Sequence, residues 1–304
     1  MSCRQVARFV GLVISQSLSI RTCHLHLRGL QQDMISTLRS GLSWDQPLKL
    51  GVTSRDELLW WALNANSLPR APIHQVQAEH TIESDASNLG WGARYNYVTT
   101  GGSWSNQQLT KYSHINQLEL LGAFLALQSF GKEWKKCHVL LKMDNKSAVA
   151  YVNKLGGTRS LPLNSLALEI WEWCLRKEIW ISAEYLPGRE KLWADWESRH
   201  CRDLSGWKLR PDLFQALMKF HMNCKVDLFA NYQNHQLPKY FSWKPDPMAE
   251  GTDVFSISWR NLQAYAFPPF CLIGKVIRKC LTDQAQMLLI TPWWTQQHWF
   301  PLVL

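Results

Sequence analysis

The chain has 304 residues, 46% hydrophobic and 19% charged, a balance that excludes a wholly disordered polymer and suits about two domains. Its 33 Lys and Arg against 24 Asp and Glu leave a formal charge of +9, which favours an acidic partner, nucleic acid or an anionic surface, without identifying it. No apolar run reaches the roughly 20 residues of a membrane-spanning helix, so no membrane partner is expected.

The eight cysteines lie far apart, with no C-x-x-C pair and no zinc-finger spacing. They read as free, mostly buried thiols of a protein from a reducing compartment, cytoplasm or nucleus. At the N-terminus, Arg4 and Arg8 precede Val10 to Ile14 with no acidic residue before Asp33, a pattern shared by transit peptides and by ordinary amphipathic helices. The second reading is carried forward. Residues 5 to 63 have apolar residues at helical spacing, in Ala7, Val10, Leu12 and Val13 and again in Leu58 to Leu63, and Ser54 with Glu57 predicts a capping box. Pro69-Arg70-Ala71-Pro72 then predicts a boundary near residue 75.

From residue 79 the texture changes. Strands are predicted at His80 to Ser84 and Gly92 to Val98, with Thr100-Gly101-Gly102-Ser103 as a hairpin turn into Trp104. There follow a helix over Ile115 to Phe130, a strand at Val139 to Met143, helices from Ser147 and over Leu163 to Arg176, a strand at Trp180 to Tyr185, and a helix after Trp193. A meander followed by alternating strands and helices predicts an α/β fold with a mixed sheet. After residue 202 the strand candidates are Val226 to Phe229, Val254 to Ile257 and Met287 to Ile290, with a helix over Leu272 to Leu281.

Four carboxylates in the middle region stand where chemistry would want them. Asp85 ends an extended run before a Gly-rich turn, and Asp144 ends an apolar strand before a polar turn and a helix. Glu119 has Ile115, Gly122 and Ala123 one turn away, so it faces the sheet on an apolar, small-residue surface where an unpaired charge is expensive. Asp195 falls early in a helix after the Pro187-Gly188 loop. Open α/β folds build sites at strand ends of this kind. If the four converge, their mutual repulsion calls for divalent cations, two Mg²⁺ with Mn²⁺ as substitute, and the implied chemistry is phosphodiester hydrolysis. Taken singly, each aspartate is also explained as a helix cap or turn residue.

The segments Ser84 to Ala93, Ile115 to Leu121, Met143 to Tyr151, and Leu186-Pro187-Gly188 with Ala194 to Arg199 occur in the order and at the separations of a known family. They resemble the ribonuclease H domain of retroelement reverse transcriptases, the nearest resemblance being to DIRS-type retrotransposons. It implies a ribonuclease H-like mixed five-stranded sheet with helices on both faces over residues 77–201, preceded by a helical thumb or connection segment over 1–76. A smaller α/β region over 202–304 follows. It also implies that Asp85, Glu119, Asp144 and Asp195 are the metal-binding catalytic residues, with Mg²⁺ or Mn²⁺ as cofactor. The implied activity is cleavage of the RNA strand of an RNA:DNA hybrid.

Two departures from the family pattern stand out. Tyr185 replaces a His ten positions before Asp195, and Lys191 replaces an Asn. A tyrosine with an ordinary pKa near ~10 is no neutral-pH proton shuttle, so metal binding is expected to survive while turnover weakens. No Tyr-x-Asp-Asp polymerase motif occurs, so the resemblance implies a piece of a retroelement polyprotein or a decayed copy, with the remaining polymerase part as a partner. Residues 226 to 304 resemble, more weakly, phage adenine methyltransferases, but Phe267 stands at the polar position before Pro268-Pro269, so methyl transfer is not expected. Trp293, Trp294 and Trp299 are read as closing a small core, with base stacking as the alternative.

Two other readings are kept. One is a nucleic-acid-binding scaffold without catalysis. The other is a DNA strand-transfer enzyme of the same fold using Asp85, Asp144 and Glu178, which lies 34 positions after Asp144. Lys132, Lys135, Lys136 and Arg189 are candidate phosphate contacts.

Overall fold

The structure, a computed structural model, describes residues 1–66, 77–187, 192–199, 207–220 and 224–304. Helix formation begins at once. The Ser2 side chain accepts from the Gln5 amide while the Gln5 side chain accepts from the Ser2 amide, so α1 (Cys3–Ser15) opens with a reciprocal cap. Its buried residues Cys3, Val6, Val10 and Val13 pack with Leu27, Leu30 and Trp61 in one core with α2 (Arg28–Arg39) and α3 (Val52–Asn64). The capping box predicted at Ser54 and Glu57 is not formed, because α3 starts earlier, after Gly51. Glu57 instead caps its neighbour: its carboxylate accepts the Gly29 and Leu30 amides at 2.8 and 2.9 Å, at the start of a helix with no side-chain cap of its own. The boundary expected near residue 75 lies outside the described residues.

The middle region forms a mixed five-stranded sheet with strand order β3-β2-β1-β4-β5, built from β1 (His80–Ala86), β2 (Gly90–Tyr95), β3 (Val98–Ser103), β4 (His138–Met143) and β5 (Trp180–Tyr185). β2 and β3 are antiparallel; β1, β4 and β5 are parallel. The hairpin turn falls at Asn96-Tyr97, with Asn96 in the left-handed region at φ 53°, and not at Thr100 to Ser103, which belongs to β3. The glycines there serve close approach. A methyl at Gly92 would lie 2.6 Å from the Ser198 amide of α8 (Leu192–Arg199), and one at Gly101 would lie 2.6 Å from the Trp91 carbonyl oxygen.

The short helix α4 (Asn106–Lys111) leads into α5 (Ile115–Phe130), which is apolar almost all round and buried accordingly. After β4, α6 (Lys146–Asn153) and α7 (Leu161–Arg176) are capped by Asn145 and Ser160. The Arg28 guanidinium donates to the Lys154 carbonyl, and Gln32 to that of Thr158, tying the N-terminal helices to the loop after α6.

Residues beyond α9 (Pro211–Phe220) form a second five-stranded sheet, parallel throughout, in the order β10-β9-β6-β7-β8. Its strands are β6 (Val226–Asp227), β7 (Lys239–Ser242), β8 (Gly251–Thr252), β9 (Gln263–Ala266) and β10 (Gln286–Leu289), with α10 (Ile273–Asp283) before the last. The segment Val254 to Ile257, expected as a strand, is a short helical turn. Asp253, at φ 56°, accepts the Phe255 amide there and turns the chain. Trp299 is buried with Phe300 and Ile273, as expected of a small core, whereas Trp293 and Trp294 are exposed.

The chain groups into two compact units. One holds residues 1–83, 112–121 and 134–190; the other holds 84–111, 122–133 and 191–304.

Candidate metal centre

Asp85 lies at the last turn-side positions of β1, 4% exposed, next to Ala86. Gly122 is what lets α5 settle there, since a methyl at that position would lie 3.3 Å from Trp91 Cβ and 3.5 Å from Ala86 Cβ. Glu119, one turn before Gly122 on the same helix, is 6% exposed and faces inward as the apolar face predicts. Asp144 follows the last residue of β4, a strand held in register beside β1 and β5, and Asn145 caps the helix that begins there.

These placements converge. Asp85, Glu119 and Asp144 each offer a carboxylate oxygen, and the three oxygens lie within 4.8 Å of one another, two of the groups buried and one partly so. At that separation each pair of negative charges repels by about 3 kcal/mol at an effective dielectric near ~20. The donor set is all hard oxygen, with no thiolate or imidazole, which suits Mg²⁺ or Mn²⁺ better than Zn²⁺.

Side chains around the three carboxylates hold them in place. The Ser198 hydroxyl on α8 lies 2.7 Å from Asp85 Oδ2 and 2.9 Å from the Asp195 carbonyl oxygen, and its one proton serves either acceptor. Asn145 donates from Nδ2 to Asn116 Oδ1 at 2.8 Å while its own Oδ1 accepts the Ala148 amide. Asn116 stands one turn before Glu119, so this pair ties the helix of Glu119 to the residue after Asp144. None of these three positioning residues was singled out from the sequence. Asn145 had a readable signal, an Asn two positions before the predicted start of a helix at Ser147. Ser198 had none, because its acceptor is 113 positions away.

Asp195 stands outside the group. It lies on α8, but its carboxylate accepts from Arg199 Nε at 2.8 Å and pairs with Nη2 of the same side chain at 2.8 Å. Three of the four predicted carboxylates are therefore brought together, and the fourth is engaged by an arginine one turn on. Tyr185 ends β5 beside Met143, 47% exposed, with Lys146 Nζ 5.1 Å over its ring. Lys191 and Arg189 lie outside the described residues.

Glu178 has no place in this site. It precedes β5 while Asp144 follows β4; the strands are parallel and paired from His138↔Trp180 to Met143↔Tyr185, so about 20 Å of strand separates the two. Glu178 instead sits at φ 57° in an exposed turn, 3.9 Å from Lys136. Lys132 is likewise not a surface phosphate contact. Its ammonium donates to the Ala249 carbonyl, and burial pushes its pKa down from the usual lysine value against the opposing pull of Asp246, Glu250 and Glu133.

No family model and no curated protein matches the chain in sequence. Among solved structures it is similar to the N-terminal RNase H domain of a Mycobacterium tuberculosis protein, solved as a fusion with maltose-binding protein. That likeness has 17% identity and a TM-score of 0.34, over 41% of this chain and 93% of that one. It is also similar to RNase H1 from the archaeon Halobacterium salinarum (13%, 0.32, over 40% of this chain and 96% of that one). A third is LC11-RNase H1, solved in complex with an RNA/DNA hybrid (14%, 0.29, over 38% and 91%). At these identities and scores the likenesses establish neither a family nor an activity. The convergence of Asp85, Glu119 and Asp144 is a property of this chain and stands without them.

Proposed function

We propose that the chain is a divalent-metal-dependent nuclease that cuts the RNA strand of RNA:DNA hybrids and derives from a DIRS-type retroelement. The observation that carries the reading is the meeting of Asp85, Glu119 and Asp144 within 4.8 Å at the end of a mixed sheet. Mg²⁺ or Mn²⁺ held by these carboxylates would supply the charge that stabilises the attacking and leaving oxygens of a phosphodiester. The chain's own residues do the rest. Ser198 fixes the direction of the Asp85 carboxylate, and the Asn116–Asn145 bridge keeps Glu119 and Asp144 in register. Asp195, half-exposed and paired with Arg199, would have to leave that arginine to act as a further ligand. The hybrid would be recognised by its shape, backbone and 2′-hydroxyls. The ordered segments that resemble reverse-transcriptase ribonuclease H domains support the retroelement origin.

The test is a gel assay of the full chain on an end-labelled hybrid with Mg²⁺, Mn²⁺ or EDTA. Cutting of the RNA strand in metal, its loss in EDTA and its abolition in Asp144→Asn are expected. Cutting that persists in Asp144→Asn rejects the site. A second reading, binding without turnover, draws support from the Asp195–Arg199 pair and from Tyr185. Salt-sensitive binding of the hybrid with no product in either metal selects it.

A further inference from the structure

The second sheet carries a site that the metal centre does not use. Taken in chain order, its strands lie third, second, first, fourth, fifth, so the winding reverses between β6 and β9. In open parallel sheets a crevice forms there, beyond the carboxyl ends of the strands, because the connections leave toward opposite faces. A cavity of about 420 Å³ occupies that place. Its lining comes from segments directly after four strands: Phe229 after β6, Trp243 after β7, Asp253 after β8 and Phe267 after β9. Phe241 and Phe255 extend the aromatic wall, and Lys275 of α10 lies 3.9 Å over the Phe255 ring.

A second concavity, of about 230 Å³, adjoins it. Trp196 and Glu197 of α8 line it together with Lys244, and Asn231, Ser242 and Trp243 line both. The two are therefore one groove running from α8, the helix whose Ser198 reaches Asp85, to the switch point of the second sheet. Trp243 stands at the join, 67% exposed, with Lys244 Nζ 4.8 Å from its ring centre, and Lys244 is anchored by Glu197 at 3.1 Å.

The lining selects a class of ligand. No glycine occurs between β6 and β7, so the backbone cradle that holds a pyrophosphate in dinucleotide sites is missing. Aromatic walls with a few amide and carboxylate groups suit a flat heteroaromatic ring that stacks and hydrogen-bonds at its edge. Lysines set over two of the rings, on a chain of net charge +9, suit phosphates running along the groove. We propose that the cleft binds a nucleobase, presented by an unpaired nucleotide of a nucleic-acid strand that lies along the groove past Trp243 and Trp196.

The experiment measures fluorescence anisotropy of a labelled single-stranded oligonucleotide of about 12 residues on the full chain in EDTA, so that no metal chemistry enters. The same oligonucleotide made abasic, and free purine and pyrimidine nucleosides read by tryptophan quenching, form the other arms. Trp243→Ala is expected to weaken the oligonucleotide by about tenfold, while Trp243→Phe stays within about threefold. The abasic strand is expected to bind at least about tenfold more weakly than the base-bearing one. Metal is absent from every arm and the variants lie outside the carboxylate group, which separates this result from the fate of the nuclease reading. Saturable nucleoside binding lost in Trp243→Ala, with no oligonucleotide binding, keeps the nucleobase site and overturns the strand as its source. Equal binding of abasic and base-bearing strands, or no binding in any arm, overturns the proposal.

Discussion

The Ser198 hydroxyl and the Asp85 carboxylate meet across 113 positions of sequence, and that one contact joins α8 to the carboxylate group. Ser198→Ala removes a hydrogen bond between buried partners at a stability cost of about 1 kcal/mol. It also leaves Asp85 freer to turn, so Mn²⁺ titrated into the variant should bind several-fold more weakly than to the unmodified chain. An unchanged affinity would mean that Asp85 needs no such support. Tyr185 tests the other side of the site. If a proton shuttle is what the chain lacks, Tyr185→His should raise the rate of hybrid cleavage, and an unchanged rate rejects that explanation. Glu119 was legible because a glutamate on a small, apolar helix face is out of place in a purely structural reading, whereas each aspartate alone also passes for a cap or turn residue and gains weight only beside the others. The supports of these carboxylates were not legible, because a serine or asparagine gains its role only from the partner the fold delivers.

At the scale of elements, the docking of α8 on β2 depends on the absence of one methyl group. At Gly92 a Cβ would lie 2.6 Å from the Ser198 amide and 2.7 Å from Glu197 Cβ, and the first of these is backbone that cannot swing aside. Gly92→Ala is therefore expected to lift α8 off the sheet, costing about 1–3 kcal/mol in urea unfolding. It should also lower metal affinity as Ser198→Ala does, since the same contact is lost. A variant with unaltered unfolding midpoint and affinity would show that the helix has slack to move. Read from sequence, glycines near this hairpin marked a turn, and the true turn fell to Asn96-Tyr97. The reason is that glycine answers two needs, a left-handed backbone and a close approach, and only the neighbour of the strand tells them apart. Long elements escaped this ambiguity: α5 and β5 have the predicted bounds, because many residues share one period. In the second sheet the strands are two to four residues long, too short for any period, and β7, β8 and β9 were not anticipated.

For the whole molecule, acid acts on the two units in opposite senses. His26 in the first unit is buried under Trp60, stacked at 3.7 Å, and burial pushes its pKa down from 6.5 to about 4. The neutral ring is the folded form, so its stabilising contribution is complete above pH 6.5 and is lost as pH falls toward 4, by about 2 kcal/mol at pH 5. Glu57, raised by burial against the amides it caps, pulls the other way but by less than full burial would, because those amides favour its charge. Asp227 in the second unit is pushed up to about 6 by burial, with the Gln236 and Phe229 amides, His235 and Lys208 opposing. A raised carboxylate destabilises the fold above its folded pKa, so this unit regains about 1 kcal/mol between pH 7 and 5. Peptide-resolved hydrogen exchange, corrected for intrinsic rates, should therefore show α1 to α3 losing protection at pH 5 relative to pH 7 while β6 and β9 keep or gain it. His26→Leu should abolish the acid loss in the helices and leave the second sheet as it was. Parallel loss in both units would mean that burial of His26 and Asp227 does not govern the response, and that the net charge of the chain does.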